Sequence, residues 1–328
     1  MQRPSRSGGS WGGRDRPYAR GTEGKGDRRV NGIVTGGSGF LGSHVADVLA
    51  ESGHDVTVLD LTPSSRHRFV LGDLQDRNGL AVAFKGAEFV CHLAAVGDVY
   101  LAAEKPWLAA QANVVGSANV CEAALAAGVP KIVAASTWEV YGPPHYQPID
   151  EAHPTAPDHP YNITKLAGER LGLAYGHLRK GLSVVQLRLA TAYGTRMRPN
   201  SVFSLFINKA MRGEPITIQG TGQQGRQFTA ARDIGTAFVA ALDRAANGSV
   251  YNTVGDEFVT IKQLAELVTA EIPTTIIYTE ARQSDVPTAM VANDRIKAEL
   301  GWMPAIKFKD GLAEIIAAHR AGEQAPAR

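Results

Sequence analysis

The chain has 328 residues, of which 44% are hydrophobic and 20% charged, ordinary values for a globular protein. That length suffices for one large domain, or for a domain with a smaller lobe. No segment approaches the ~20 apolar residues that a membrane span needs, and the Gly- and Arg-rich first residues lack the apolar core of a signal peptide. We therefore expect a cytoplasmic protein with no membrane partner.

The charge is divided unevenly along the chain. The net charge is +2, but residues 1–30 alone carry +5, which leaves −3 for everything that follows. A mildly acidic folded part is not typical of a nucleic-acid-binding protein. We predict that residues 1–29 form a disordered N-terminal extension, with a basic binding arm as the alternative.

The two cysteines, Cys91 and Cys121, are predicted to be buried free thiols, because a disulfide is uncommon in a cytoplasmic α/β chain. No spacing of Cys and His resembles a metal site. We therefore predict no bound metal.

From Val30 onwards, short β-branched runs alternate with Ala- and Leu-rich stretches. Strands are predicted at 30–35, 55–60, 68–71, 88–95, 131–136 and 183–190. Helices are predicted at 41–51, 75–84, 107–127 and 161–180, the third closed by Gly128 and Pro130. Strands that alternate with helices favour an α/β fold with a doubly wound parallel sheet, the Rossmann architecture, over residues 30–190.

Beyond residue 190 the pattern is less regular. Helices are predicted at 202–212, 233–246, 260–270, 293–300 and 309–319, and strands at 215–219, 249–254 and 274–278. We predict that residues 191–328 form a smaller α/β C-terminal lobe that covers the carboxyl ends of the strands and binds the substrate, with some return to the main sheet.

A glycine-rich segment, Thr35–Gly42, joins the first predicted strand to the first predicted helix. Its glycines satisfy two dinucleotide-binding spacings at once, G-x-G-x-x-G from Gly37 and G-x-x-G-x-x-G from Gly36. A side chain in this turn would block a pyrophosphate or the contact between strand and helix, and a helix N-terminus offers free N–H groups to phosphates. The residues predicted to bind the cofactor here are Gly36, Gly39, Phe40, Leu41 and Gly42.

Asp60 ends the second predicted strand, eighteen residues after Gly42. A carboxylate there accepts hydrogen bonds from the adenosine ribose and repels a 2′-phosphate, so we predict NAD as the cofactor. Arg66 and Arg68 follow closely and leave NADP open. Asp73, after the third predicted strand, is a second candidate, either for contact with the adenine or as a helix N-cap.

Tyr161 and Lys165 are four residues apart in a predicted helix, so they lie on one face of it. A nearby ammonium and an oxidised nicotinamide lower the pKa of a phenol, so Tyr161 could accept a hydroxyl proton as a hydride leaves for the cofactor. Lys165 could also hold the nicotinamide ribose. Thr137 follows the fifth strand, at the edge of the sheet where ligands bind, and could bridge the substrate and the tyrosine. The structural alternatives are a packed aromatic ring, a surface lysine and a capping threonine.

Together these motifs resemble the extended short-chain dehydrogenase/reductase family, the NAD-dependent nucleotide-sugar epimerases and dehydratases that include UDP-glucose and UDP-glucuronate 4-epimerases. The resemblance runs from about Val30 to His319 and is carried by TGGSGFLGSH (Thr35–His44), HLAA (His92–Ala95), STWEVYG (Ser136–Gly142), YNITK (Tyr161–Lys165) and DRIKAELGW (Asp294–Trp302). It implies that Thr137 is the catalytic hydroxyl, Tyr161 the base and Lys165 its partner.

The resemblance implies further contacts. Those to the cofactor fall on Asp73, Leu74, Leu93, Ala94 and Ala95. Arg226 and Arg282 match the arginines that hold the nucleotide diphosphate, a task that suits the planar donor fork of a guanidinium. The family also implies a homodimer formed through the predicted helices 107–127 and 161–180.

The type of reaction is less constrained. A 4-epimerase needs only the Thr, Tyr and Lys and room for a 4-keto intermediate to turn, whereas hexose 4,6-dehydratases of the family often have an Asp-Glu pair directly after the Thr. Here the pair is Trp138-Glu139. Glu139 keeps a lyase open, either a dehydratase or a UDP-glucuronate decarboxylase. We predict a 4-epimerase with tightly held NAD; the alternatives are a lyase, a one-way reductase and a non-enzymatic NAD-binding sensor.

Two departures from the family bear on the substrate. Thr191 stands where the family often has Asn, and this Thr, with the Arg196–Pro199 segment, resembles UDP-glucuronate 4-epimerases. Thr191 is thus a candidate substrate contact, and Arg196 or Arg198 could bind a sugar carboxylate, which extends the candidate substrates to UDP-hexuronates. The segment Ala230-Ala231 replaces a usual aromatic residue of the nucleotide pocket.

Overall fold

A computed structural model describes residues 30–281 and 289–322 of the chain. Its strands are β1 (Asn31–Thr35), β2 (Asp55–Asp60), β3 (Arg68–Leu71), β4 (Phe89–His92), β5 (Lys131–Thr137), β6 (Ser183–Leu189), β7 (Thr191–Tyr193), β8 (Ile216–Gln219), β9 (Gly225–Ala230), β10 (Val250–Thr253), β11 (Phe258–Thr260) and β12 (Ile276–Thr279). Its α-helices are α1 (Phe40–Glu51), α2 (Arg77–Ala83), α3 (Val99–Glu104), α4 (Pro106–Ala110), α5 (Gly116–Ala127), α6 (Pro160–Leu178), α7 (Val202–Met211), α8 (Ala231–Arg244), α9 (Ile261–Glu271), α10 (Asp294–Leu300) and α11 (Phe308–Arg320).

Seven strands form the main sheet in the order β10-β6-β5-β4-β1-β2-β3, and every pairing in it is parallel. The strand order reverses between β1 and β4, and a doubly wound sheet binds its ligand in the crevice outside the carboxyl ends at such a point. Apolar clusters cover both faces, one containing Leu49 and Phe238, the other Leu80 and Val120. The predicted doubly wound α/β fold is confirmed.

The C-terminal part of the chain adds two small sheets, β11-β9-β7 and β12-β8. An aromatic core made by Tyr193, Phe203, Phe228 and Phe308 joins β7 and β9 to α7 and α11. In contrast, β10 leaves this lobe and pairs with β6 in the main sheet. The structure therefore interleaves the two parts, and the domain boundary at residue 190 stays a prediction.

The predicted helix 107–127 is wrong as one continuous α-helix, because a π-helical turn, Gln111–Val115, separates α4 from α5. At its centre, the Asn113 side chain accepts from Val96 N at 2.8 Å and donates to Val96 O at 3.1 Å and to Thr164 Oγ1 at 3.0 Å. These bonds tie the loop after β4 to α6. Such turns are frequent at functional sites, and a helical pattern in the sequence does not reveal the distant partners that hold one.

Other predicted bounds differ at their ends. Helix α2 begins at Arg77 rather than 75, because the Asp76 side chain accepts from Gly79 N at 2.9 Å and caps it. The N-cap alternative for Asp73 is therefore wrong. Strand β4 ends at His92, so residues 93–95 form a loop at the edge of the sheet. Helix α3 and the short strands β7, β9 and β11 were not predicted.

Within residues 30–281 and 289–322, no helix has the length and apolarity of a membrane span, and no group of three or more His, Cys, Asp and Glu could hold a metal ion. Cys91 and Cys121 are both free and buried, as predicted. The predicted disordered extension lies outside the described residues.

Candidate active site

The turn between β1 and α1 is shaped by backbone crowding. Gly36 has a φ of +72°, and a Cβ on it would lie 2.6 Å from the backbone N of Ala94. A Cβ on Gly42 would lie 2.1 Å from the carbonyl oxygen of Gly36. Glycine is therefore required at both positions, and the turn can pack its backbone against the loop after β4.

Helix α1 begins at Phe40, with Gly39 as its N-cap. Glycine has no side chain with which to satisfy the first N–H groups of the helix, and the first turn contains no acidic residue. Free N–H groups and the positive end of the helix dipole suit a pyrophosphate. Because Ala94 N is the atom nearest to position 36, the loop Leu93–Ala95 lies directly beside this turn. The residues present therefore fit NAD.

Asp60 lies at the carboxyl end of β2, where its carboxylate is held in place. It accepts a hydrogen bond from Ser38 N at 3.1 Å and another from Thr62 N at 3.1 Å. Arg66, one of the cations that left NADP open, donates from Nε and Nη2 to Asp47 at 3.2 and 2.8 Å. The carboxylate beside the glycine turn and the engaged arginine both favour NAD.

The next two predicted cofactor contacts lie on one turn. Asp73 Oδ1 accepts from Gln75 N at 2.9 Å, so the Asp73 side chain stabilises the turn in which it lies. Leu74 is buried in the core and packs against Gly116, where a Cβ would lie 2.9 Å from Leu74 Cδ1. The Leu74 side chain thus faces the core, and contact of either residue with the cofactor stays a prediction.

The structure brings Thr137, Tyr161 and Lys165 together at the carboxyl end of β5. Tyr161 is in the first turn of α6, and the Thr137 hydroxyl is close enough to its phenol to favour the ionised form. One helical turn further on, Lys165 Nζ donates to the carbonyl oxygen of Ala135 at 2.6 Å. The three side chains are thus placed by one strand end and one helix face.

Burial is the largest influence on the ionisation of Tyr161 and Lys165. Burial raises the pKa of Tyr161, and the Glu139 charge raises it further, while the Thr137 hydroxyl and Arg198 act in the opposite direction. The predicted lowering of this pKa requires oxidised nicotinamide beside the ammonium, and it stays a prediction. Burial lowers the pKa of Lys165 to about 8, and the Glu169 carboxylate opposes that shift.

Glu139 belongs to the same site. It lies in the 3-10 turn Trp138–Tyr141 after β5, and its backbone N donates to Thr137 Oγ1 at 3.3 Å. Burial raises the pKa of Glu139, the Arg226 guanidinium lowers it and Asp158 raises it. Arg226, on β9, therefore acts on the same carboxyl group, and the structure brings a candidate acid and a candidate phosphate-binding arginine to the catalytic side chains.

The two arginines after β7 differ in their partners. Arg196 has a φ of +64° and donates from Nη1 to Asp47, on α1, at 2.9 Å. Its guanidinium is thus engaged by the helix of the cofactor turn, and the structure does not bring it to the catalytic group. Arg198 pairs with Asp98, in the loop after β4, and its charge acts on Tyr161. Of the two candidates for a sugar carboxylate, the geometry retains Arg198.

Two predicted substrate contacts remain untested. Thr191 is the first residue of β7, half-buried and opposite Phe228 of β9. Arg282 lies outside the described residues. Their roles stay predictions.

A buried polar group behind the catalytic side chains was not predicted from the sequence. Glu169 is bound by Arg188 through two hydrogen bonds of 3.0 and 2.6 Å, and by Ser136 Oγ at 2.6 Å. Two signals in the sequence point to it. Glu169 follows Lys165 by four residues on the same helix face, and Arg188 is a charged residue within an otherwise apolar parallel strand.

This sheet, its glycine turn and the Thr-Tyr-Lys group define an NAD-dependent enzyme of the short-chain dehydrogenase/reductase type. The chain belongs to the NAD dependent epimerase/dehydratase family, whose sequence profile matches residues 33–254. NAD is its cofactor, and the predicted family is confirmed.

Several proteins are similar to this chain over nearly their full length. A putative UDP-glucose 4-epimerase of Methanocaldococcus jannaschii is 34% identical, over 87% of this chain and 96% of its own. A UDP-N-acetyl-alpha-D-glucosaminuronate decarboxylase of Bacillus cytotoxicus is 29% identical, over 87% of this chain and 96% of its own. The solved structure of MoeE5 in complex with UDP-glucuronic acid and NAD superimposes with a TM-score of 0.81 at 32% identity, covering 89% of this chain and 99% of MoeE5.

Proposed function

We propose that this protein is a nucleotide-sugar 4-epimerase that holds NAD tightly and works through a 4-keto intermediate. The observation that carries the proposal is the group at the end of β5, where the Thr137 hydroxyl lies close enough to the Tyr161 phenol to favour its ionised form and Lys165 lies one turn away. The chemistry that NAD supplies when bound is reversible hydride transfer. Besides NAD, an epimerase requires a proton acceptor, a bridging hydroxyl and room for the sugar.

The position after Thr137 favours an epimerase over a dehydratase. Trp138 occupies it and is 8% exposed, packed in a cluster with Tyr141, Ile149 and Val254. This side chain is part of the core and supplies no acid to the site. Protonation of a leaving hydroxyl, which a dehydratase needs, therefore has no donor at this position.

Each catalytic side chain has a defined task in this proposal. Tyr161 accepts the proton of the sugar 4-hydroxyl and later returns it, while Thr137 orients the oxygen through its hydroxyl. Because burial raises the pKa of Tyr161, the positive charges of Lys165, Arg198 and oxidised NAD are needed together to favour the phenolate. Lys165 can supply its charge because its pKa, although lowered, is still about 8.

The substrate we propose is a UDP-sugar, with UDP-hexuronates among those accepted. Arg226 and Arg282 are the proposed partners of the diphosphate, since a guanidinium binds phosphate oxygens as a planar fork. Arg198 is the proposed partner of a hexuronate carboxylate, which would take the place that Asp98 now holds. The relative that supports this substrate class is MoeE5, solved with UDP-glucuronic acid.

A lyase is the second candidate, and one observation favours it. Glu139 is close enough to Tyr161 for its charge to raise the pKa of the phenol, and burial raises the pKa of Glu139 itself. A carboxyl group that holds its proton can act as an acid. A uronate decarboxylase is also among the relatives.

The purified protein should be incubated with UDP-glucose, UDP-galactose, UDP-glucuronate and UDP-galacturonate. We expect one or more pairs to reach an equilibrium of C4 epimers, seen by NMR, with no change in mass and no net appearance of NADH. Loss of water or of carbon dioxide from the sugar would contradict the epimerase and support the lyase. Stoichiometric consumption of NADH would identify a reductase.

We also propose a homodimer formed through α5 and α6. Three apolar side chains of α6 are exposed, Ile163 by 48%, Leu171 by 38% and Leu178 by 74%. A second copy would cover them and so remove apolar surface from water. Light scattering of the purified protein should give twice the chain mass, and Leu171→Glu should give a monomer. A wild-type monomer at micromolar concentration would contradict the proposal.

A further inference from the structure

Three side chains of α6, four residues apart, face the last three residues of β5: Tyr161, Lys165 and Glu169. Lys165 Nζ donates to Ala135 O at 2.6 Å, and Ser136 Oγ donates to Glu169 Oε2 at 2.6 Å. The Thr137 hydroxyl is close enough to the Tyr161 phenol to favour its ionised form. Each of the three consecutive strand residues therefore faces a different turn of the helix, and two of them are bonded to it.

Glu169 is the most deeply buried member of this set. Its side chain is 0% exposed, and Arg188, its ionic partner, is 4% exposed. Ser136 and Arg188 are opposite each other in the register of β5 and β6, and both bond the same carboxylate. The Arg188 guanidinium also lies 4.7 Å from the centre of the Tyr141 ring. The carboxylate is thus held from two strands at once.

Stability alone does not account for such a pair. An apolar pair of the same volume often stabilises a fold as well as a buried ion pair does, because burying two charges costs much of what their attraction returns. A carboxylate with three short bonds differs from an apolar side chain in being directional. This directionality fixes where Ser136, and the Thr137 that follows it, lie relative to α6.

A small cavity lies beside Glu169, so the hydrogen bonds of this carboxylate matter more for holding its neighbours in place. Its volume open to the centre of a water molecule is about 20 Å³, enough for one water. Lys165 and Glu169 both line it, with His92, Ser117 and Gln186. Packing on this side of Lys165 is therefore incomplete, and the hydrogen bond to Ala135 O helps to fix the ammonium there.

We propose that Glu169 is a positioning residue for the catalytic group: through Ser136 it sets the place of Thr137 against Tyr161, and through its charge it supports the ammonium of Lys165. The proposal rests on the proposed epimerase function for its kinetic consequence. Its electrostatic consequence can be measured without turnover.

The electrostatic part is tested with Glu169→Gln, which keeps the shape of the side chain and removes its charge. The pKa of Lys165 is measured as the pH dependence of its acetylation in the folded protein, followed by mass spectrometry. Glu169 supplies the charge that raises the pKa of Lys165, while Lys165 itself acts on His92 and Tyr161 lies one helical turn away. We therefore expect loss of the carboxylate to move the midpoint down by about one pH unit. An unchanged midpoint would overturn the proposal, because a purely structural residue would leave it in place.

The positional part is tested with Ser136→Ala, which removes one bond to Glu169 and leaves the ion pair intact, so that it also serves if Glu169→Gln does not fold. We expect kcat to fall about tenfold with KM unchanged, since a small displacement of a reacting group lowers the rate without loss of binding. The matched control is Asn247→Ala. Asn247 bonds Val184 N at 2.9 Å and Gly176 O at 2.7 Å, and so joins β6 to the far end of α6.

The control should keep the wild-type kcat. A wild-type kcat in Ser136→Ala, or an equal fall in both variants, would overturn the positional argument. Failure of the function is distinguishable: a wild-type protein that epimerises no UDP-sugar refutes the proposed activity, while the acetylation midpoint of Lys165 in Glu169→Gln still decides the role of Glu169.

Discussion

The cofactor turn at residues 36–42 and the catalytic group around Tyr161 lie at the same edge of one sheet, but the first is formed by backbone and the second by side chains. The turn is a contiguous stretch of backbone in which added atoms have no room. The catalytic group consists of side chains from β5, α6 and β9, and its charges depend on burial and on distant partners. We therefore expect the cofactor turn to lose its function when a substitution adds atoms, and the catalytic group to lose its function when a substitution removes them.

The largest effect is expected in the catalytic group. Tyr161→Phe removes the proton acceptor, so kcat should fall by about a thousandfold, while the protein as purified should retain its NAD. Turnover is measured by NMR and bound NAD by extraction and absorbance. Tyr175→Phe is the control, because Tyr175 is on the same helix but bonds Glu122 at 2.7 Å. Full activity in Tyr161→Phe would refute the mechanism.

In the cofactor turn, an added atom rather than a removed one is expected to impair function. Gly36→Ala places a Cβ 2.6 Å from Ala94 N at a φ of +72°, so the backbone must move and NAD affinity should fall by about a hundredfold, measured by calorimetry. Gly53→Ala is the matched control, since Gly53 also has a positive φ, +92°, but nothing lies within 4 Å of its Cβ. Equal losses in both variants would show that backbone strain, rather than space, is responsible.

Asp47 is on α1, the helix that follows the cofactor turn, and it ties that helix to the segments after β2 and β7, because it accepts from Arg66 and from Arg196. Burial opposes its ionisation, but the bonds to Arg66, His67 and Arg196 outweigh this and lower its pKa from 3.8 to about 2. At neutral pH, Asp47→Asn should therefore cost about 2 kcal/mol in the free energy of unfolding.

The pH dependence of that loss follows from the sign of the shift. A depressed carboxyl pKa stabilises the folded state above the unfolded value, so the difference between wild type and Asp47→Asn should shrink below about pH 4 and vanish near pH 2. Urea unfolding at several pH values measures it. Glu51→Gln, which removes an exposed pair with Arg232, should cost less than about 1 kcal/mol. Equal costs would show that the buried network has no special role.

The smallest effect concerns Glu139. If the protein is an epimerase, Glu139→Gln should change kcat by no more than about threefold, because the hydride and proton transfers use Tyr161, Thr137 and Lys165. If it is a lyase, the same variant should lose most of its activity. Rates on UDP-glucose and UDP-glucuronate, compared in one preparation, separate the two.

The contrast between the two regions also marks how far the sequence could predict the structure. The turn and the parallel sheet follow from local patterns, so the glycine spacing, Asp60 and all seven strands of the main sheet were predicted from the sequence, together with some return of the C-terminal lobe to that sheet. The particular partners of distant segments were not predicted. The pairing of β10 with β6, the π-helical turn held by Asn113 and the capture of Arg196 by Asp47 each depend on residues far apart in the chain.

The same distinction applies to Tyr161. The spacing of Tyr161 and Lys165 places two side chains on one helix face, and the structure has them there. Spacing does not report burial, the Glu139 charge or the carbonyl of Ala135 that receives the ammonium. Position was therefore predictable and protonation was not.

The placement of Trp138 has a consequence for how such enzymes diverge. A carboxylate at this position would have to enter the apolar cluster around Tyr141 and Ile149, at a cost of several kcal/mol for an unpaired buried charge and the space left by the indole. One substitution would thus impair folding before it supplied an acid. An enzyme that carries this tryptophan would therefore lose stability if it acquired the acid of a hexose dehydratase by one substitution. Several neighbouring residues would have to change at the same time to keep the fold stable.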